Sequence, residues 1–283
     1  MSKEDINLER KGKIAVLTID RPQRRNTFNE HMFSCLERAT GELKKNMPRC
    51  LVITGAGDKA FSAGFDVSPD NPMVSNIAGS AGKQDSAPAE RVIGQVRKAA
   101  DELFSLPVPI IAAINGLAYG GGAELSVRCD MRVMDTDAVI CFSEVRLGLM
   151  PDWGGGPALV WLVGPSNAAD LILTARRVEA GEALRLGLVN RVSKPGQALE
   201  EAISLAEMIA VNGPRAVGQA LSVIRQSMNL PFHKALDLEA EKAVSLIMSG
   251  ECIYGVAAFL EKKEPEFPDI VSEKTEGCLK TPS

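Results

Sequence analysis

Histidine is scarce in this chain of 283 residues: there are two, His31 and His233, far apart in sequence. That gives little support to a histidine metal site or a Ser-His-Asp triad. The six cysteines (Cys35, Cys50, Cys129, Cys141, Cys252 and Cys278) form no C-x-x-C pair and no metal-ligand spacing. In a chain this long they read as reduced thiols, and neither a metal nor a disulfide framework is expected. No G-x-G-x-x-G follows a strand and no G-x-x-x-x-G-K-[ST] occurs, so a nucleotide-binding fold is poorly supported. Basic blocks are missing too, and the net charge is −4, which argues against a nucleic-acid surface. No apolar run reaches transmembrane length. The opening Met1-Ser2-Lys3-Glu4-Asp5 is polar, unlike a signal peptide, so the expected compartment is the cytoplasm.

What is present is an ordinary globular composition, 45% hydrophobic and 24% charged. One stretch stands out, Asn115-Gly116-Leu117-Ala118-Tyr119-Gly120-Gly121-Gly122-Ala123-Glu124. The apolar run Pro109 to Ile114 leads in and a helix-like segment leads out. Glycine tolerates positive φ and lets other atoms approach its backbone closely. A helix N-terminus adds unpaired N–H groups and partial positive charge. Together they can seat a developing oxyanion. A plain strand-to-helix turn would leave the same glycines.

Strands are expected over Lys13 to Asp20, Cys50 to Thr54, Met131 to Met134, Val139 to Phe142 and Leu188 to Val192. A helix over Glu30 to Lys45 has Asn29 as N-cap and apolar residues at Met32, Phe33, Leu36, Ala39 and Leu43. Ser68 to Ala89, rich in Ser, Pro, Gly, Ala and Asn, reads as a mobile loop before a helix over Glu90 to Ser105. Helices are expected over Pro165 to Thr174 and Glu179 to Leu186. From Leu199 onward the pattern is helical, broken near Gly213-Pro214 and Leu230-Pro231. The alternation predicts an α/β core with parallel strands. Residues 1–198 form the expected core, 199–267 a helical region and 268–283 a loosely held tail.

Four segments then match a known pattern in order: Asp20-Arg21-Pro22 with Asn26; Ala60 to Asp66; Ala113 to Glu124; and Phe142-Ser143-Glu144 with Leu147-Gly148-Leu149. On these the chain resembles the enoyl-CoA hydratase/isomerase (crotonase) family, from about Asn7 to Phe267. The resemblance implies a crotonase-like spiral of ββα units with a C-terminal helical region, assembled as homotrimers or dimers of trimers. It implies an acyl-CoA thioester as substrate, with coenzyme A part of that substrate and no separate cofactor. The thioester oxygen would sit between the N–H groups of Phe65 and Gly121, an oxyanion hole. Arg24, Arg25, Ala63, Gly64, Asp66, Val67, Gly120 and Trp153 would form the substrate contacts.

In family hydratases, glutamates at the positions of Glu124 and Glu144 flank a water and add it across the double bond of a trans-2-enoyl-CoA. Such a pair needs burial and proximity, so that one proton is shared and one pKa rises. The chain departs from that pattern at Phe65, where a small residue is common, at Ser68, where Lys is frequent, and at Asp152, where simple hydratases have Gly. Dienoyl-CoA isomerases and ring isomerases place an acid at the Asp152 position. The expected activity is therefore trans-2-enoyl-CoA hydration, a lyase reaction of fatty acid metabolism. The alternative is a dienoyl-CoA or ring-type isomerase using Asp152 with Glu144. A non-catalytic or RNA-binding role is the remote alternative, disfavoured by the acidic balance. No membrane or nucleic-acid partner is expected.

Overall fold

The computed structural model describes residues 5–270. The chain divides into two units, Met1–Ala210 and Val211–Ser283. In chain order the first runs β1 (Ile6–Lys11), β2 (Ile14–Ile19), α1 (Glu30–Lys45), β3 (Cys50–Gly55), β4 (Ala60–Ser62), α2 (Pro72–Ser80) and α3 (Ala87–Phe104). It continues through β5 (Ile110–Ile114), β6 (Leu117–Tyr119), α4 (Gly121–Arg128), β7 (Met131–Asp135), β8 (Val139–Cys141) and α5 (Gly155–Thr174). It closes with β9 (Val178–Glu179), α6 (Ala180–Arg185), β10 (Arg191–Ser193) and α7 (Ala198–Ala210). Single turns of 3-10 helix occur at Pro22–Arg24 and Glu144–Leu147.

Six strands form one sheet in the order β1-β2-β3-β5-β7-β10, and four form a smaller sheet, β4-β6-β8-β9. From β2 to β10 the larger sheet is parallel; only β1 runs antiparallel. Each repeat places one strand in the large sheet, the next in the small sheet and then a helix: β5-β6-α4 and β7-β8-α5 follow that rule. This is the ββα spiral expected from the resemblance. Strands covered on both faces are buried throughout and largely apolar, as β3 and β5 are. Alternate residues serve two cores. Ala15, Leu17, Leu51, Ile53, Ile110 and Ala112 join the main cluster. Ile14, Val16, Cys50, Val52, Ile111 and Ala113 pack against Ala198, Ala202, Leu205 and Ala206 of α7.

Two expectations change here. Ser68 to Ala89 is not a loop: α2 occupies Pro72–Ser80 and α3 begins at Ala87. Asn71 caps α2 by accepting the Met73 N–H at 3.2 Å, Pro72 takes the first helical position, and Met73 is buried in the core. The small polar residues conceal one apolar anchor and one cap. Second, α7 packs on β3, β5 and β7 and lies within the first unit, whose boundary falls after Ala210 instead of after residue 198. Of the expected loose tail, residues 271–283 lie outside the described residues.

The second unit contains α8 (Pro214–Ser227), α9 (Phe232–Met248) and α10 (Glu251–Glu261). The Glu251 carboxylate accepts the N–H groups of Arg215 and Ala216 at 2.8 and 2.7 Å, tying the start of α10 to the start of α8. No residue of α9 is buried. Phe232, Ile247, Met248, Phe259 and Leu260 stand exposed. Among the described residues no single helix is long and apolar enough to cross a membrane.

Candidate functional site

The glycine turn brings backbones together more closely than any side chain would allow. After β6 the chain passes through Gly120 at φ +53 and enters α4. A Cβ on Gly122 would lie 2.0 Å from the Ser62 carbonyl oxygen, and one on Gly64, at φ +81, would lie 2.6 Å from the Gly121 nitrogen. The Ala63-Gly64-Phe65 loop and the N-terminus of α4 are thus pressed edge to edge. Flanking bonds fix the loop: Phe28 donates to the Gly64 carbonyl and Asp66 donates to that of Phe28, each at 2.8 Å. The Ala63 N–H reaches the Arg25 carbonyl at 2.9 Å. Among the described residues neither the Phe65 N–H nor the Gly121 N–H donates to a turn, loop or side-chain acceptor.

Glu124 sits one turn into α4 and is fully buried. Its Oε2 accepts the N–H groups of Trp153 and Gly155, both at 2.8 Å, and its Oε1 that of Asp152 at 3.2 Å. Gly155 has to be glycine, since a Cβ there would lie 2.5 Å from the Glu124 side chain. Burial pushes the Glu124 pKa up to about 8; the charges of Glu144 and Asp152 add to the rise, while the Gly155 and Trp153 N–H groups oppose it. Glu144 opens the single-turn helix after β8. Both its oxygens are buried without a fixed donor among the described residues. Burial raises its pKa as well, and the Asp152 charge adds to this. The two glutamates are close enough for the charge of Glu144 to raise the pKa of Glu124.

Asp152 is exposed at the edge of this pair. Partial loss of water raises its pKa, against the pull of the Arg97 charge. Trp153 turns its ring inward: it is 3% exposed, packed edge-on against Phe28 and Phe33 at 5.6 and 5.2 Å. A Cβ on Gly121 would lie 2.7 Å from that ring, so Trp153 is a floor beneath the turn. Asp66 is buried, its carboxylate engaged by Arg21 at 2.5 Å and by the Ser68 hydroxyl. Burial works to raise the Asp66 pKa, but the bonds from Ser68 and Arg21 outweigh it and hold the carboxyl below its ordinary value. Val67 and Arg25 are exposed, as is Arg24, which lies 3.6 Å from Asp70. Gly120 lies beside Glu144, whose Oε1 a Cβ at that position would approach to 3.6 Å.

Reading the sequence missed the backbone donors of residues 152–155, which leave no side-chain trace. It also missed Arg21, whose pairing across 45 positions has no local signal. Among the described residues no group of three or more His, Cys, Asp or Glu side chains could hold a metal ion.

A family model described as enoyl-CoA hydratase/isomerase matches residues 9–270. Short-chain-enoyl-CoA hydratase of Clostridium acetobutylicum is 35% identical, covering 94% of this chain and 98% of that protein. Crotonyl-CoA hydratase of Syntrophomonas wolfei is 33% identical, covering 94% and 99%. Among solved structures, an enoyl-CoA hydratase from Bacillus anthracis superposes with a TM-score of 0.83 at 31% identity, over 93% of this chain and 98% of that one. Pseudomonas aeruginosa DspI does so with 0.85 at 33% identity, over 94% and 97%.

Proposed function

The chain belongs to the enoyl-CoA hydratase/isomerase family, and from that premise we propose that it hydrates trans-2-enoyl-CoA thioesters. The observation that carries this reading is the buried Glu124–Glu144 pair beside the Gly64–Gly121 contact. The thioester oxygen would accept the Phe65 and Gly121 N–H groups. As water's oxygen bonds to C3, the carboxylate of the pair takes the water proton, and the π electrons move onto the thioester oxygen as an enolate. Two fixed N–H donors stabilise that charge, one such donor being worth about 10²–10³ in rate. The carboxylic acid of the pair then gives its proton to C2. Since the pair enters with one proton and leaves with one, it is ready for the next turnover.

Asp152 gives a second reading some footing, because its charge raises both glutamates. In that reading Asp152 and Glu144 move a proton along a conjugated acyl chain. A panel of linear enoyl, dienoyl and cyclic acyl-CoAs, scored by product, tests both. Under the hydratase reading Asp152→Asn changes kcat on crotonyl-CoA by less than about tenfold, because Asp152 lies outside the pair. Under the isomerase reading it lowers turnover of a 3,5-dienoyl-CoA by about 10² or more. Conversion of the dienoyl or cyclic substrate alone would reject the hydratase assignment.

We extend the reading to assembly and compartment. The exposed apolar residues of α9 and α10 support a trimer or a dimer of trimers joined through the second unit. Five thiols without a disulfide among the described residues support the cytoplasm.

A further inference from the structure

Arg128 stands one turn after Glu124 on α4, a spacing that would let the two pair directly on a bare helix. Instead they grip one loop from its two polar sides. Glu124 accepts the loop's N–H groups, and Arg128 Nη1 donates to the Trp153 carbonyl at 2.9 Å. The peptide unit that Arg128 holds, between Trp153 and Gly154, lies between the two units whose N–H groups bind Glu124 Oε2. The guanidinium is itself anchored. Nη2 donates to Asp101 Oδ1 of α3 at 2.7 Å, the Arg128 Cζ lies 4.7 Å from the centroid of the Phe104 ring, and a Cβ on Gly154 would touch it at 3.3 Å. Arg128 is only 16% exposed, so the geometry is held by packing as well as by charge. Among the described salt bridges, Glu124 has no cation partner.

We propose that Arg128, braced by Asp101, is the positioning residue that holds the Trp153–Gly155 backbone in register with Glu124. It touches no reacting atom and acts through the loop. The inference rests on the hydratase reading for its effect on rate, but not for the clamp itself. The charged groups around Glu124 are Glu144 after β8, Asp152 on the loop with Arg97 of α3 beyond it, and Arg128 on its own helix. Of the elements packed on α4, β4 has no titratable group, β6 has Tyr119, and α5 has Asp170, engaged by Arg176. Removing the clamp would release two N–H donors that favour the charged carboxylate.

The test uses the full-length chain carrying Arg128→Met, with Arg128→Lys and Asp101→Asn as milder variants should the first not fold. The probes are crotonyl-CoA kinetics across pH and the carboxyl ¹³C signal of Glu124, assigned with Glu124→Gln. Arg128→Met should lower kcat about tenfold or more while KM stays within about twofold, as expected when a hydrogen bond supporting a charged group is lost. The alkaline limb and the ¹³C titration should both move up by about one pH unit. Lys should recover part of each effect, and Asp101→Asn should give a smaller shift of the same sign. Loss of thermal stability with the limb and the ¹³C titration unmoved would overturn the clamp, as would a rise in KM alone. A wild-type protein that hydrates no enoyl-CoA while the ¹³C shift appears would reject the hydratase reading and support the clamp.

Discussion

Asp135 and Glu124 are both buried carboxylates that collect backbone N–H groups, but their surroundings differ. Asp135 borders a cleft of about 610 Å³ at the C-terminal ends of the large-sheet strands, with Thr18, Thr54, Asn115 and Asp137. In open parallel sheets that is a common place for a ligand. Yet Asp135 accepts bonds from the Ser193 hydroxyl and from the N–H groups of Gly196, Gln197 and Ala198, all between 2.8 and 3.1 Å, capping the start of α7. The Asn115 side chain is likewise bound to Gly55 and Gly57. Glu124 has three donors, but it faces Glu144, whose oxygens have none, and the charge of Asp152. A carboxylate whose two oxygens are taken up by a helix start and a hydroxyl serves the architecture. Two neighbouring carboxyls with too few donors raise each other's pKa, which suits such a pair to hold a proton near neutral pH.

The sharpest way to break this comparison is to exchange the acids for amides. Glu144→Gln should cut kcat on crotonyl-CoA by about 10²–10⁴, since the amide keeps the shape but cannot exchange a proton. Acyl-CoA binding, measured by calorimetry, should stay within a few-fold. Glu124→Gln should behave similarly, and the double variant should be little worse than either single one, because the two act as a unit. Asp135→Ala should do the reverse. It leaves three N–H groups and a hydroxyl unanswered, at a cost of about 1–3 kcal/mol of stability in denaturant titrations. The activity of the folded protein should not change. Loss of turnover with stability intact would show that the cleft has chemistry of its own.

A further expected effect is a slope of stability against pH. The folded protein holds the Glu124 proton up to about pH 8, against an ordinary value of 4.5. Between those values the folded state binds more protons than the unfolded state, so stability falls as pH rises. The contribution is fully present below 4.5 and lost through 8. Melting temperatures across this range should fall for the wild type and flatten for Glu124→Gln. Parallel curves for the two proteins would mean that Glu124 is ionised throughout.

Much of the framework was legible because it depends on side chains. Asn29 and the apolar spacing behind it define α1 from Glu30 to Lys45, and Asn29 does accept the Met32 N–H. Strands β2, β3 and β5 of the large sheet announce themselves as short, largely apolar runs. Strand β1 does not, because its sequence is mostly polar and only Ile6 is buried. The three-residue strands β4, β6 and β8 are too short for periodicity to separate them from loops, although β8 lies within an apolar run. At the site, Glu124, Glu144 and the glycine turn could be read from the sequence. The inward turn of Trp153 and the donors of the 152–155 backbone could not, since a peptide N–H looks the same in every sequence.

The most direct test of the central claim follows the atoms of water. Crotonyl-CoA is incubated with the wild type in ²H₂O enriched in ¹⁸O, and the product is analysed by mass spectrometry and NMR. The account predicts one ¹⁸O at C3 and one deuterium at C2 in each product molecule, with both incorporations lost in Glu144→Gln under conditions where that variant still binds the thioester. Unchanged incorporation by Glu144→Gln, or wild-type turnover of acyl-CoAs without ¹⁸O entering any product, would contradict it.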